Sequence, residues 1–245
     1  MPSRKIALFS DVHGNLEALE AVLKHISSRG VEQIICLGDI VGYGPDPGAC
    51  VSLIREIGCP AVLGNHDEAC FSPGAEEFMN ELAQAGIAHA RRDLDEQQKG
   101  WLAELPHVIE TEDFCVVHSS LDEEDYWPYV LGRNDAARHF RYQKKPVAFC
   151  GHTHRPAIWQ TDGRKICTPL VEGKHKLEPG VRHLINVGSV GQPRNARSEA
   201  SYVLYDPAAS TVEFHLVPYD FFKTQNKILE AGLPAFLALR LELGR

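Results

Sequence analysis

No run of apolar residues in the 245-residue chain approaches the roughly 20 needed to cross a bilayer, so a membrane-spanning reading is set aside. The N-terminus MPSRKIALFSD has only the apolar run IALF before Ser10 and Asp11, too short for a secretory signal. The 7 cysteines are odd in number and include no CxxC pair, which argues against a disulfide framework and a thiolate zinc site. Cys36 in QIICLG and Cys150 in VAFCG sit inside apolar runs, where a thiol acts as a small buried hydrophobe. A reducing cytoplasm is the expected compartment. Basic charge is also scarce: 25 Lys and Arg against 33 Asp and Glu leave a formal net charge of −8. A nucleic-acid polymer and a membrane surface are therefore not expected partners.

The 44% of residues that are hydrophobic are ample for a core, and they are arranged as β/α units. IALFS at 6–10 reads as a buried strand. Leu16, Leu19, Val22, Leu23 and Ile26 recur at helical spacing, so a helix is expected from Asn15, a capping residue, to about Arg29. QIICL at 33–37 is a second strand, followed by the loop GYGPDPG and a helix carrying Val51, Leu53, Ile54 and Ile57. AVLG at 61–64 reads as a third strand. Residues 74–104 read as a helical insertion with Phe78, Leu82 and Ala85 on one stripe. FCVVH at 114–118 and PVAFCGH at 146–152 are further buried strands around a helix near 134–142. AIWQT, KICTPL, HLINVGS, SYVLYD and TVEFHLV then read as strands, and 219–245 as a helical tail. With no repeat, low-complexity segment or linker, the expectation is one α/β domain over 1–245 containing two sheets.

The polar residues that follow these apolar runs carry the chemistry. Asp11 and His13 follow the first strand, Asp39 the second, and Asn65, His66 and Asp67 the third; His118 ends a fourth, and His152 and His154 follow a fifth. A sheet brings the carboxyl ends of its strands to one edge, where ligands bind. Asp, Asn and His without Cys suit Mn²⁺, Fe, Co²⁺, Ni²⁺ or Zn²⁺, and so many donors exceed one tetrahedral zinc. Two ions fit better, because such a pair acidifies a shared water and clamps the oxygens of a phosphoryl displacement.

DVHGN at 11–15, GDIVGYG at 38–44, GNHD at 64–67, VHSS at 117–120 and GHTHRP at 151–156 resemble the calcineurin-like metallophosphoesterase superfamily. The later block NVGSVGQPR at 186–194 is similar to its small prokaryotic phosphodiesterases. The resemblance runs from residue 6 to about 218 and leaves the tail unmatched. It implies a two-sheet mixed β-sandwich with helices on both outer faces. It also implies Asp11, His13 and His154 as ligands of one metal, Asn65, His118 and His152 as ligands of the other, and Asp39 as the bridge. His66 would face the leaving-group oxygen, with Asp67 placed to orient it, and a metal-bridging hydroxide would attack phosphorus. Two divalent ions are the implied cofactors, with Mn²⁺ placed first.

Arg194 and Arg155 are candidates for holding a phosphate oxygen, Asn15 for touching substrate, and Tyr43 for stacking on a base or aryl group. His89, His107, His139, His175, His183 and His215 lie outside the blocks and read as structural. The apolar tail reads as packed on the domain, with a homodimer contact as a second reading. The expected activity is hydrolysis of a small nucleotide-type phosphodiester or phosphoanhydride. Asymmetric diadenosine tetraphosphate hydrolysis becomes the preferred version if the 38–47 loop and the insertion supply an aromatic wall and basic groups. The rival from another class is a metal-binding, non-catalytic interaction scaffold, which would have no use for His66.

Overall fold

Alternation along the first strand sets the architecture. In β1 (Ile6–Phe9), Ile6 and Leu8 face one buried cluster while Ala7 and Phe9 face another, as a period of two requires. The computed structural model describes residues 5–171 and 173–245. β1 pairs in parallel with β2 (Gln33–Cys36) and antiparallel with β10 (Ala200–Asp206). β11 (Thr211–Val217) and β8 (Lys174–Lys176) complete a five-stranded sheet in the order β2-β1-β10-β11-β8. The second sheet runs β3-β4-β5-β9-β6-β7. Its members are β3 (Val108–Glu110), β4 (Phe114–Val117), β5 (Val147–Cys150), β9 (Arg182–Asn186), β6 (Ala157–Thr161) and β7 (Ile166–Cys167).

The two sheets are both mixed and pack face to face. Leu8, Ile35, Val116, Phe149, Ile185 and Val203 fill the space between them. Each such side chain contributes about 1.5–3 kcal/mol by leaving water. On the outer face of the first sheet, α1 (Leu16–Ser27) and α2 (Pro47–Glu56) supply Leu19, Val22, Val51 and Ile54 to a cluster with Phe9 and Tyr202. On the outer face of the second, α6 (Arg133–Tyr142) lays Ala136 and Phe140 over Cys115, Ala148 and Leu184. The expected sandwich with helices on both sides is present. Asn15 caps α1 by accepting from the Ala18 amide at 3.2 Å.

Three local expectations differ from the structure. AVLG forms no strand: Ala61 makes a single parallel bridge to Cys36. The chain must leave β2 there to enter α3 (Asn65–Phe71), and the Leu63 amide goes instead to the Pro106 carbonyl. Phe78 is not buried but 96% exposed, at the end of the 3₁₀ turn Ala75–Phe78. The buried stripe of α4 (Glu81–Asp93) is Ala83, Gly86, Ile87 and Ala90, one position out of phase with the expected one. KICTPL narrows to two strand residues before Pro169, whereas β3 and β8 were not anticipated. α5 (Glu96–Ala103), α7 (Phe221–Glu230) and α8 (Ala235–Leu243) complete the helices.

Candidate metal centre

β1 and β2 run parallel, as do β4, β5 and β9, so their carboxyl ends meet at one edge of the sandwich, the geometry that favours ligand sites in such sheets. The chain there bends abruptly. Asp11, His13, Asp39, His152 and His154 all have left-handed backbones, with φ of 56°, 50°, 53°, 66° and 60°. Non-glycine residues adopt this region at a cost, and such strain concentrates at functional sites. Gly64 permits a close approach to a donor: a Cβ on it would stand 2.3 Å from Asp39 Oδ1.

Two groups of buried donors result, Asp11 with His13, Asp39 and His154, and Asp39 with His118 and His152. Asp39 belongs to both. Its Oδ1 accepts from the His66 amide at 2.9 Å, while its Oδ2 lies 3.3 Å from His118 Nε2 and 3.6 Å from His13 Nε2. Asp11 Oδ2 accepts from the His152 amide at 3.0 Å. Its Oδ1 lies 3.2 Å from His154 Nε2 and has no hydrogen-bond donor. Asn65, at the start of α3, brings a second buried oxygen without a partner.

The imidazoles are held from behind. His13 Nδ1 lies 3.0 Å from the Val41 carbonyl, His118 Nδ1 2.7 Å from that of Leu37, and His154 Nδ1 2.6 Å from that of Gln192. A carbonyl can only accept, so each ring donates from Nδ1, and a ring that is neutral or metal-bound turns its Nε2 lone pair inward. His13 Nε2 and His154 Nε2 then face each other at 3.0 Å, and His118 Nε2 faces His152 Nδ1 at 3.2 Å. In neutral rings the Nε2 atoms of His13 and His154 oppose two lone pairs, which repel at that separation unless a cation lies between them. The donor set, nitrogen and oxygen without sulfur, fits divalent transition metals.

Burial and mutual repulsion separate the titrations. Burial, with His118 nearby, pushes His152 down to about 3, and burial outweighs the Asp11 charge to lower His154 to about 4. Both stay unprotonated, as ligands must be. Burial works against ionising Asp11 and Asp39, but the surrounding histidines overcome it and hold both carboxyls below their usual range. At His118 burial is outweighed by the Asp39 charge, which raises it to about 9. His66 is lowered well below the usual value, mainly by burial. It packs at 4.7 Å from the His13 ring and 4.5 Å from Tyr43, with Nδ1 unbonded.

Two expected roles change. Asp67 does not touch His66: its Oδ1 accepts from the Ile40 and Val41 amides and its Oδ2 from Gly64. It fixes the loop after β2 rather than the imidazole. Burial, reinforced by Asp39, raises its pKa to about 7. Asn15 has no group to spare for a substrate. Its Oδ1 takes the Ala18 amide and the Thr224 hydroxyl, and its Nδ2 donates to the Gly191 carbonyl and Tyr219. Tyr43 is buried and packs its ring against His13 and His66. Arg194 is half-buried near His154, whose carbonyl accepts its amide at 3.2 Å. Arg155 is exposed and donates from Nε to the Arg194 carbonyl. Among the described residues, the six histidines outside the blocks join neither donor group.

A cleft of about 690 Å³ opens on Asn65, His66 and His152. Its walls are aromatic, with Tyr43, Phe78, Tyr126, Trp127 and Tyr129. Tyr129 stacks on His152 at 4.0 Å, and Trp127 donates to Glu68 at 2.9 Å. Sequence reasoning missed the 126–129 wall. The one signal for it was three aromatics within the four residues YWPY, set in an otherwise polar stretch. Among the described residues, no Lys or Arg lines this cleft.

A family model for the calcineurin-like phosphoesterase superfamily domain matches residues 5–210. An uncharacterised protein of Methanocaldococcus jannaschii is 37% identical over 251 residues that cover all of both chains. The crystal structure of a metallophosphoesterase from Sphaerobacter thermophilus is 38% identical and superposes with a TM-score of 0.87, covering 99% of this chain and 100% of that one. The phosphodiesterase YfcE of Escherichia coli is 26% identical over 163 residues, 64% of this chain and 72% of its own length.

Proposed function

The chain belongs to the calcineurin-like phosphoesterase superfamily, and on that premise we propose that it hydrolyses a small phosphodiester carrying an aryl or nucleobase group. One observation carries this reading: a single oxygen, Asp39 Oδ2, lies at the junction of two buried donor groups, beside a cleft walled with aromatic rings. We assign Asp11, His13 and His154 to one ion, Asn65, His118 and His152 to the other, and Asp39 to both. A bound pair of divalent ions, Mn²⁺ in our reading, supplies an acidified water and positive charge on the phosphoryl oxygens.

The chain's own residues do the rest. The Val41, Leu37 and Gln192 carbonyls fix three ligand rings. His66 presents a buried imidazole at the cleft, where its N–H would hydrogen-bond to the departing oxygen and stabilise the charge that develops there. Tyr43, Trp127 and Tyr129 flank the leaving group. A long polyphosphate would require cations along its path, and the absence of Lys and Arg from the lining argues against diadenosine tetraphosphate as the preferred substrate. His66, with no structural partner for Nδ1, favours an enzyme over a silent scaffold. The seven free cysteines suit a reducing compartment, and we place the protein in the cytoplasm, acting as a single unit that includes its tail.

The test is turnover by Mn²⁺-loaded protein on an aryl phosphodiester, an aryl phosphomonoester, 2′,3′-cyclic AMP and diadenosine tetraphosphate. Preference for the diester or cyclic nucleotide supports the reading. A dominant rate on diadenosine tetraphosphate refutes the substrate assignment, and inactivity on all four refutes the enzyme.

A further inference from the structure

The tail brings an unassigned cation to the edge of the centre. Leu237 and Leu241 anchor α8 in a buried cluster that also contains Tyr43. Arg240, on the same side of the helix, comes down with its guanidinium carbon 5.9 Å from the centre of the Tyr43 ring. Arg194 approaches the same ring at 6.0 Å. That ring touches both His13 and His66, at 4.8 and 4.5 Å, so the two arginines stand one aromatic ring away from the proposed ligands.

Both guanidiniums are under-used. Arg194 gives one Nη to Gln192 Oε1 at 3.0 Å and leaves a buried Nε without an acceptor. Arg240 spends only its Nε, on the Arg245 carbonyl. Among the described residues neither is paired with an Asp or Glu side chain, although the chain holds 33 of these acids against 25 Lys and Arg. Burial and the neighbouring Arg194 charge lower the pKa of Arg240 to about 10, so Arg240 remains charged at neutral pH. Two half-buried guanidiniums thus approach one ring, at 6.0 and 5.9 Å from its centre, with no acid side chain to balance them. Guanidinium groups match phosphate oxygens two at a time.

We propose that Arg194 and Arg240 form a second anion site beside the metal centre, which takes one further phosphoryl group of the substrate. The inference rests on the phosphodiesterase reading and narrows it. The substrate class becomes a nucleotide-type phosphodiester that carries one further phosphate group, as distinct from a long polyphosphate chain. The tail helix thereby becomes part of the binding machinery, with Tyr43 as the platform between the arginines and the ligands.

The experiment compares AMP with ADP as ligands of the Mn²⁺-loaded full chain at fixed free Mn²⁺, by calorimetry and by inhibition of aryl diester turnover. ADP is expected to bind roughly tenfold or more tightly than AMP, on the scale of charge-assisted bonds. R194A and R240A should bring that ratio close to one, while R240K keeps part of it. An unchanged ratio in R240A overturns the proposal. So does equal weakening of both ligands in a variant whose melting temperature is preserved, which would make Arg240 only a prop for Tyr43. If R240A fails to fold, R240K and R240Q carry the comparison. Failure of the underlying reading looks different: no diester turnover by the parent protein.

Discussion

The histidine that does not join the donor groups is the sharpest point of contact between geometry and chemistry. Removing the imidazole in His66→Ala should leave both ions bound and lower kcat by roughly 10²–10³, the usual loss for one hydrogen-bond donor to developing charge; metal analysis alongside turnover checks this. The same ring can be displaced without being altered. Gly42 has φ of +89° and a Cβ there would lie 2.3 Å from His66 Nδ1, so Gly42→Ala should reduce kcat by about tenfold or more while metal content holds, since small misplacements are costly. Unchanged turnover in both variants would remove His66 from the reaction. At this scale the sequence was most readable for the donors, because all but Asn65 come soon after a buried strand. Asn15 and Asp67 were misread because their partners, Thr224 and Gly191 for one and Ile40 and Val41 for the other, are distant in the chain or carry no side-chain signal.

Elements place these residues, and here legibility followed periodicity. β1, β2, β4 and β5 were evident as apolar runs. β3 and β8 are three residues each on sheet edges, too short to show alternation. Phe78 resembled a core residue because helical spacing was extended through Asn80, which in fact caps α4 by accepting from Ala83. The aromatic loop has a testable role. Trp127→Ala removes both a wall of the cleft and the bond to Glu68, and should raise KM for an aryl diester by roughly 3–10-fold, as befits an aromatic contact, and by more than it lowers kcat. An unchanged KM would exclude the loop from substrate binding. Amphipathicity showed that the tail is helical but not what it covers. Leu237 is 1% exposed against the Tyr43 cluster, so Leu237→Ala should cost about 2–5 kcal/mol, measured by urea unfolding.

For the molecule as a whole, stability should depend on both metal and acid. Ions that bind only the folded chain stabilise it by mass action, about 2.7 kcal/mol per site at a hundredfold excess over Kd, so chelation should lower the melting temperature. Acid acts through buried histidines such as His139, which burial lowers to about 3 and whose Nδ1 accepts from the Leu121 amide. Between its unfolded value near 6.5 and about 3 the unfolded chain holds a proton that the folded chain does not. Stability should therefore fall as pH drops through that window, and a His139→Gln variant should show a shallower slope.

The most direct measurement of the central claim is a titration of metal-stripped protein with Mn²⁺, following hydrolysis of an aryl phosphodiester. Turnover that rises to a plateau at two ions per chain, and an Asp39→Asn variant that holds neither ion firmly, is the expected result. A plateau at one ion, or loss of a single ion in Asp39→Asn, contradicts a shared dinuclear centre.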